Sequence, residues 1–365
     1  MEKLQIKQDY PFVLIMAGGI GSRFWPASRE NLPKQFLDIT GSGKSLIQLT
    51  FDRFASFIPA DYIYVITHQN YKSITLNALS GFNHNNLITE PTRNNTAASI
   101  ALASFKLSQK NPDAVCIVAP SDHIINDENE FQRVLQTAFD HANENQSIVT
   151  LGIKSTRPDT GYGYIEFDKN EISDVRKVSS FREKPNATDA ANFVKAGNFA
   201  WNSGIFTWRL DVILDAYQQY APQIYNTLGA GIDVYNTHEE ADFIFNAYPG
   251  TEKNSVDYAI LEKAQNVYTI PCDIGWSDLG TWNSLHDNTE KVANQNAVLS
   301  SPVYLEDTYN SLIFSENTKL VVIKGLEDYI IVDTSDCLMI FPKSDEQEIK
   351  LLKEKLKEQG LGRYL

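Results

Sequence analysis

Phe12-Val13-Leu14-Ile15-Met16-Ala17-Gly18-Gly19-Ile20-Gly21-Ser22-Arg23-Phe24-Trp25-Pro26 is the stretch on which the reading of this chain turns. Its apolar opening, Phe12 to Ala17, predicts a strand buried on both faces. That strand runs straight into glycines at 18, 19 and 21, where backbone N–H groups can approach a ligand without a Cβ in the way. Adjacent N–H groups in such a turn form a concave anion site. Arg23, and Lys34 in Pro33-Lys34-Gln35-Phe36, add two cations to a phosphate cradle. Two other glycine motifs are excluded. Gly21-Ser22-Arg23 lacks the Gly-Lys-Ser/Thr of a P-loop, and Gly19-Ile20-Gly21 is followed by Phe24 where a dinucleotide fingerprint needs its third glycine.

Working outward, the 365 residues suggest a large α/β domain with something smaller attached. Lys+Arg of 32 against Asp+Glu of 46 leaves a net charge of −14, which excludes a basic face for nucleic acid. Cys116, Cys272 and Cys337 are odd in number and lack metal spacing, so a reduced, cytoplasmic protein is expected. The apolar run near the N-terminus is too short for a signal-peptide core or a membrane span. Strands alternating with amphipathic helices predict a mainly parallel sheet covered on both faces. Ser45 and Asp127 are read as helix caps, Thr188 as the cap of a short helix closed by Gly197, and Ser344-Asp345 as the cap of the last one. From about Val292 short strands follow at close spacing, compatible with a β-helix or a small roll. The expected division is a large α/β domain over 1–290 and a small β domain with a terminal helix over 291–365.

Several polar motifs punctuate this frame. Asp122, in Pro120-Ser121-Asp122-His123, follows a buried strand, where open α/β sheets place their ligands. It reads as a helix cap or as a hard carboxylate ligand for Mg²⁺, and Asp127 is the better cap. Asp278, between Gly275 and Gly280, reads from its neighbours as an Asx-turn residue or a second such carboxylate. Glu183-Lys184-Pro185 by itself fits a surface loop. Asn202, beside Trp201, offers an amide that both donates and accepts toward hydroxyls. Glu90 and Asn95 lie in the segment leading into an Ala-rich helix that begins at Thr96, whose N-terminus suits anionic or polar ligand groups.

Gly18-Gly19-Ile20-Gly21-Ser22-Arg23-Phe24-Trp25-Pro26-Ala27-Ser28-Arg29 with Pro33-Lys34-Gln35-Phe36 resembles the signature of the sugar-nucleotide pyrophosphorylases, and most closely that of the mannose-1-phosphate guanylyltransferase family. The resemblance recurs along nearly the whole chain. It implies an α/β, Rossmann-like nucleotidyltransferase domain with a small β-helix-like C-terminal domain, and transfer of GMP from GTP to α-D-mannose 1-phosphate, giving GDP-mannose and pyrophosphate. Arg23, Lys34 and Lys184 are then the catalytic cations, Lys184 on the sugar phosphate. Gly18, Gly19, Gly21, Glu90 and Asn95 bind the nucleotide, with Glu90 accepting from the guanine edge. An additional asparagine between Arg93 and Thr96 makes Asn94 the alternative to Asn95. Gly163, Glu183, Lys184 and Asn202 bind the sugar phosphate, and Asp122 and Asp278 bind Mg²⁺. No nucleic-acid or membrane partner is expected, and a homodimer is left open. The rival readings are a guanylyltransferase for another hexose or heptose 1-phosphate, a glycosyltransferase (whose Asp-x-Asp motif is not apparent), and a non-catalytic sugar-nucleotide binder.

Overall fold

The computed structural model describes residues 10–19, 21–171, 173–299, 302–316 and 318–365. Ile20 of the glycine stretch and the reading of residues 1–9 lie outside them. The chain divides into two compact units. One comprises Met1–Gly18, Phe51–Pro120 and Ile125–Trp276, the other Gly19–Thr50, Ser121–Ile124 and Ser277–Leu365. This differs from the expected boundary at 290/291, because the glycine loop and Asp122 belong with the C-terminal residues.

The first unit is built on a nine-stranded sheet. Its first half holds β1 (Phe12–Met16), β2 (Ile63–His68), β3 (Leu87–Glu90) and β4 (Val115–Pro120). After β5 (Ile124–Ile125) come β6 (Ile148–Lys154), β7 (Tyr164–Phe167), β8 (Arg176–Arg182), β9 (Phe199–Arg209) and β10 (Val267–Cys272). The order is β3-β2-β1-β4-β9-β6-β10-β8-β7. The first four strands are parallel, as their unbroken apolar runs predict. The sheet as a whole is mixed, not mainly parallel. β9 runs antiparallel to both β4 and β6 and so interrupts the parallel order. β7 and β8 form an antiparallel pair at the far edge. Met16 pairs with Pro120, so β1 and β4 end together, and the glycine loop and Asp122 follow directly along the chain.

The Asn95–Ser108 helix packs against this sheet with Ala97, Ala98, Ala101 and Ala103 all 0% exposed. Its small side chains permit that close approach. Asp127 caps the Glu128–Asn145 helix by accepting from Glu130 N at 2.9 Å, as its position predicts. The short helix closed by Gly197 is capped by Asn186, not Thr188: its side chain accepts from Asp189 N, while Thr188 lies inside the first turn.

Toward the second unit, β11 (Trp276–Ser277) leads into the helix Trp282–Asn288, and then β12 (Ala297–Leu299), β13 (Val303–Glu306), β14 (Leu312–Ser315), β15 (Val321–Lys324), β16 (Tyr329–Asp333) and β17 (Leu338–Pro342) follow. β12, β14 and β16 pair in parallel, as do β13 and β15. Side chains joined across these ladders, such as Ser315 to Asp333 and Lys324 to Glu306, lie 18 residues apart. The strand-rich C-terminal region is thus present as expected. A 3-10 turn, Lys343–Glu348, precedes the last helix, Ile349–Glu358, so Ser344 and Asp345 lie within that turn and do not cap the helix. One core joins Phe24, Trp25 and Leu37 to Trp282, Leu312, Ile330 and Ile349. That shared core explains why the glycine stretch separates from the strand that launches it.

Candidate active site

In the second unit, the glycine loop is shaped by Gly21. Its φ of +65 lies in the left-handed region, and a Cβ there would stand 2.4 Å from Lys34 Cβ. Only glycine fits both demands. The loop thereby rests on Lys34, whose side chain is 4% exposed. The Lys34 ammonium lies 2.9 Å from Asp122 Oδ2 and donates at 2.9 Å to the carbonyls of Asp278 and Leu279. An ammonium has three protons, and all three are used. Burial alone would raise the Asp122 carboxyl; the charges of Lys34 and of neighbouring His123 outweigh it and hold the group below the usual carboxylate range. Asp278 closes a local turn, its Oδ1 accepting from Gly280 N at 2.9 Å. Arg23 is exposed and points one N–H toward Gly280 O at 3.5 Å. Gly19 O accepts from Gln35 Nε2 at 3.0 Å.

Lys34 therefore joins the segments carrying the two predicted metal aspartates, although its expected partner was a triphosphate. Among the described residues no group of three or more His, Cys, Asp or Glu is arranged to hold a metal ion. Two carboxylates with hard oxygens suit Mg²⁺, which takes one or two protein carboxylates and completes its shell with water and phosphate.

Trp25 and Arg29 of the signature do different work. Trp25 Nε1 donates to Tyr364 O at 2.7 Å, and an Arg29 N–H donates to the same carbonyl. Arg29 also pairs with Asp336 at 2.7 Å. These two motif residues fasten residues near 364 and the β16–β17 turn to the loop.

In the first unit, the four sugar-phosphate candidates come together. Asn202 N donates to Gly163 O at 2.8 Å, and Lys184 Nζ reaches Glu183 Oε1 at 2.6 Å. A Cβ on Gly163 would stand 2.5 Å from Glu183 Oε2, so the glycine makes room for that carboxylate. Lys184 has φ +44 and a side chain 61% exposed, leaving its cation reachable. Sequence reasoning missed Asp257, whose Oδ1 accepts from Asn202 Nδ2 at 2.8 Å. Burial, with the nearby Glu183 charge, raises the Asp257 carboxyl against the opposing hydrogen bond from Asn202. Asp257 opens the π-helical turn Asp257–Leu261, a conformation frequent at functional sites and without a sequence period of its own.

The base-side candidates also lie in the first unit. Glu90, at the end of β3, is 4% exposed and accepts from Ser99 Oγ at 2.6 Å and from the Tyr248 hydroxyl. Gly18 faces its other oxygen: a Cβ there would be 3.6 Å from Glu90 Oε1. Burial raises the Glu90 carboxyl, opposed by both hydroxyls and by the charges of His68 and Arg93. The two asparagines separate cleanly. Asn94 is 0% exposed and donates to Tyr248 O at 2.9 Å and Thr251 Oγ1 at 2.8 Å. Asn95 is exposed at φ +66, its Oδ1 accepting from Thr96 N at 2.8 Å.

With this geometry in hand, similarity to known proteins identifies the family. The profile of the family described as "Nucleotidyl transferase" matches residues 12–295. Mannose-1-phosphate guanylyltransferase 2 of Escherichia coli O157:H7 is 36% identical over 372 residues, covering 98% of this chain and 76% of that protein. The alginate biosynthesis protein AlgA of Pseudomonas putida is 36% identical over 354 residues, covering 95% of this chain and 72% of that protein. A crystal structure from Thermus thermophilus, named as a mannose-1-phosphate geranyltransferase, superposes with a TM-score of 0.85 at 26% identity, covering 95% of this chain and 99% of that one. A chain with this loop, these acidic and basic clusters and this extent of similarity belongs to the nucleotidyl transferase family.

Proposed function

We infer that the protein transfers GMP from GTP to α-D-mannose 1-phosphate, releasing GDP-mannose and pyrophosphate. The observation that carries this reading is similarity over nearly the whole chain to proteins named for that activity. In the reaction, a phosphate oxygen of the sugar phosphate forms a bond to the α-phosphorus of GTP. The bond from that phosphorus to the bridging oxygen breaks, and pyrophosphate leaves with the electron pair. The nucleophile is already an oxyanion near neutral pH, so no general base is required. Catalysis rests on placing the two anions in line and offsetting their charge.

The glycine backbone and the exposed Arg23 are assigned to the triphosphate. Lys34, its protons already engaged, is assigned to holding Asp122 and the Asp278-Leu279 turn in place. Lys184 is assigned to the sugar phosphate, and Glu183, Asn202 and Gly163 to the sugar. Glu90 is assigned to guanine. Asp122 and Asp278 are the oxygen donors that would hold Mg²⁺, which when bound supplies charge neutralisation at the phosphates. The parallel ladders of the C-terminal region support reading it as a short β-helix, and the parallel first half of the large sheet supports the Rossmann-like description. No helix among the described residues is long and apolar enough to cross a membrane, and the three cysteines are free, which supports a cytoplasmic location.

A pyrophosphate-release assay crossing four nucleoside triphosphates with several hexose and heptose 1-phosphates tests the reading. GTP with mannose 1-phosphate is expected to be best, other nucleotides being at least about tenfold poorer for one lost base-edge hydrogen bond. Equal turnover of GTP and UTP would refute it.

A further inference from the structure

Both hydroxyls that bind Glu90 select the same oxygen. Ser99 Oγ donates to Oε2 at 2.6 Å, and the Tyr248 hydroxyl donates to Oε2 as well, the two hydroxyls lying 3.2 Å apart. Oε1 faces the bare α-carbon of Gly18. A carboxylate oxygen has about two lone-pair positions, so Oε2 is filled and the accepting capacity left to Glu90 is on Oε1. Tyr248 is itself held, being 0% exposed and tied through its carbonyl to Asn94 and Thr251. Asn94, the buried one of the two asparagines in the Arg93-Asn94-Asn95-Thr96 segment, thus holds the residue that binds Glu90.

We propose that Ser99 and Tyr248 are positioning residues for nucleobase choice, turning Glu90 into a one-oxygen acceptor, beside Gly18, for the N1–H of a 6-oxopurine. The inference rests on the assignment of Glu90 to guanine above. A 6-oxopurine presents a donor at N1; adenine presents a lone pair there, which would face the carboxylate lone pairs and be repelled. Two hydroxyl donors also favour the charged carboxylate, which only accepts. His68 and Arg93, the other charged or titratable groups acting on Glu90, work in the same direction as these hydroxyls, against the effect of burial. Removing a hydroxyl frees a lone pair on Oε2 and lets the carboxyl take a proton more readily. A protonated Glu90 donates, and so accepts adenine N1 in place of N1–H.

The test measures kcat and KM for GTP, ITP and ATP, each with mannose 1-phosphate, in the wild type and in Ser99→Ala, Tyr248→Phe, their double variant and Glu90→Gln. Circular dichroism establishes that each variant is folded. The wild type is expected to favour GTP and ITP over ATP, since both 6-oxopurines carry N1–H. Tyr248→Phe is expected to lower the GTP-to-ATP ratio of kcat/KM about tenfold, the weight of one hydrogen bond, with the loss falling mainly on KM for GTP. Ser99→Ala is expected to act in the same direction, and ITP to follow GTP throughout. A merely structural role would depress all three nucleotides together. That result, or a ratio unchanged in the folded variants, overturns the proposal while the guanylyltransferase reading stands. If Tyr248→Phe fails to fold, Ser99→Ala decides the matter by the same ratio. A wild type indifferent to the base overturns both.

Discussion

Lys34→Met separates two roles for this lysine that sequence alone cannot. A cation reserved for a ligand's phosphate sits ready in solvent, and its removal changes stability by no more than about 0.5 kcal/mol. Lys34 instead is 4% exposed and gives its three protons to Asp122 Oδ2, Asp278 O and Leu279 O. Methionine keeps the length and the apolar stem but removes all three bonds. Breaking a buried ion pair by deleting one partner costs about 3–5 kcal/mol. Asp122 retains 29% side-chain exposure, so water recovers part of its loss and the lower end, about 3 kcal/mol, is expected. Urea unfolding followed by tryptophan fluorescence reports on it, because Trp25 and Trp282 lie in the core of the same unit. Activity is expected to fall as well, since Asp122 loses its anchor. A variant as stable as the wild type to within about 0.5 kcal/mol, with only a raised KM for GTP, would refute this account and return Lys34 to the triphosphate.

Three further outcomes follow from the same geometry. Gly21→Ala places a methyl group 2.4 Å from Lys34 Cβ in a backbone conformation unsuited to alanine, so activity is expected to drop at least about tenfold with a raised KM for GTP; unaltered steady-state kinetics would contradict the loop's reliance on that glycine. Asp257 has a raised pKa when folded, so the native chain holds a proton that the unfolded chain has lost between about pH 4 and the raised value. Its contribution to stability is therefore greatest below the unfolded pKa and lost as pH rises through the folded one; the stability difference between wild type and Asp257→Asn should shrink or reverse over that window, and a pH-independent difference in urea midpoints would count against the burial argument. For the metal, EDTA is expected to abolish turnover and Mg²⁺ to restore it, with Asp122→Asn and Asp278→Asn each losing most activity and combining non-additively; full activity of either asparagine variant would remove that residue from the ligand set.

How much of this was legible beforehand depends on the range of the interaction concerned. The β1 strand, the glycine loop and the Asp127 cap are written in neighbouring residues, and each was readable because its chemistry is local. Gly163, Glu183, Asn202, Asp122 and Asp278 stood out through the family resemblance, since by themselves Glu183 fitted a surface loop, Asp122 a helix cap and Asp278 an Asx turn. Asp257 was not, since its significance arises only when β9 brings Asn202 within 2.8 Å of it. The mixed order of the sheet was hidden for a related reason. β9 is largely buried and apolar, and an apolar run shows that a strand is covered without showing which way it runs between its neighbours.

By itself, then, the amino-acid order determined the strand and the glycine loop that follows it, the acidic and basic residues available for the chemistry, and the family to which they point, since these depend on side chains close together in the chain. Tertiary structure alone decided what those groups hold. Lys34 finds its acceptors at positions 122, 278 and 279, Trp25 and Arg29 find theirs at 364, and Glu90 accepts from hydroxyls at 99 and 248. The physical reason is that a buried donor or acceptor must be satisfied by whatever group the fold brings within about 3 Å, and for these residues that group is distant in sequence.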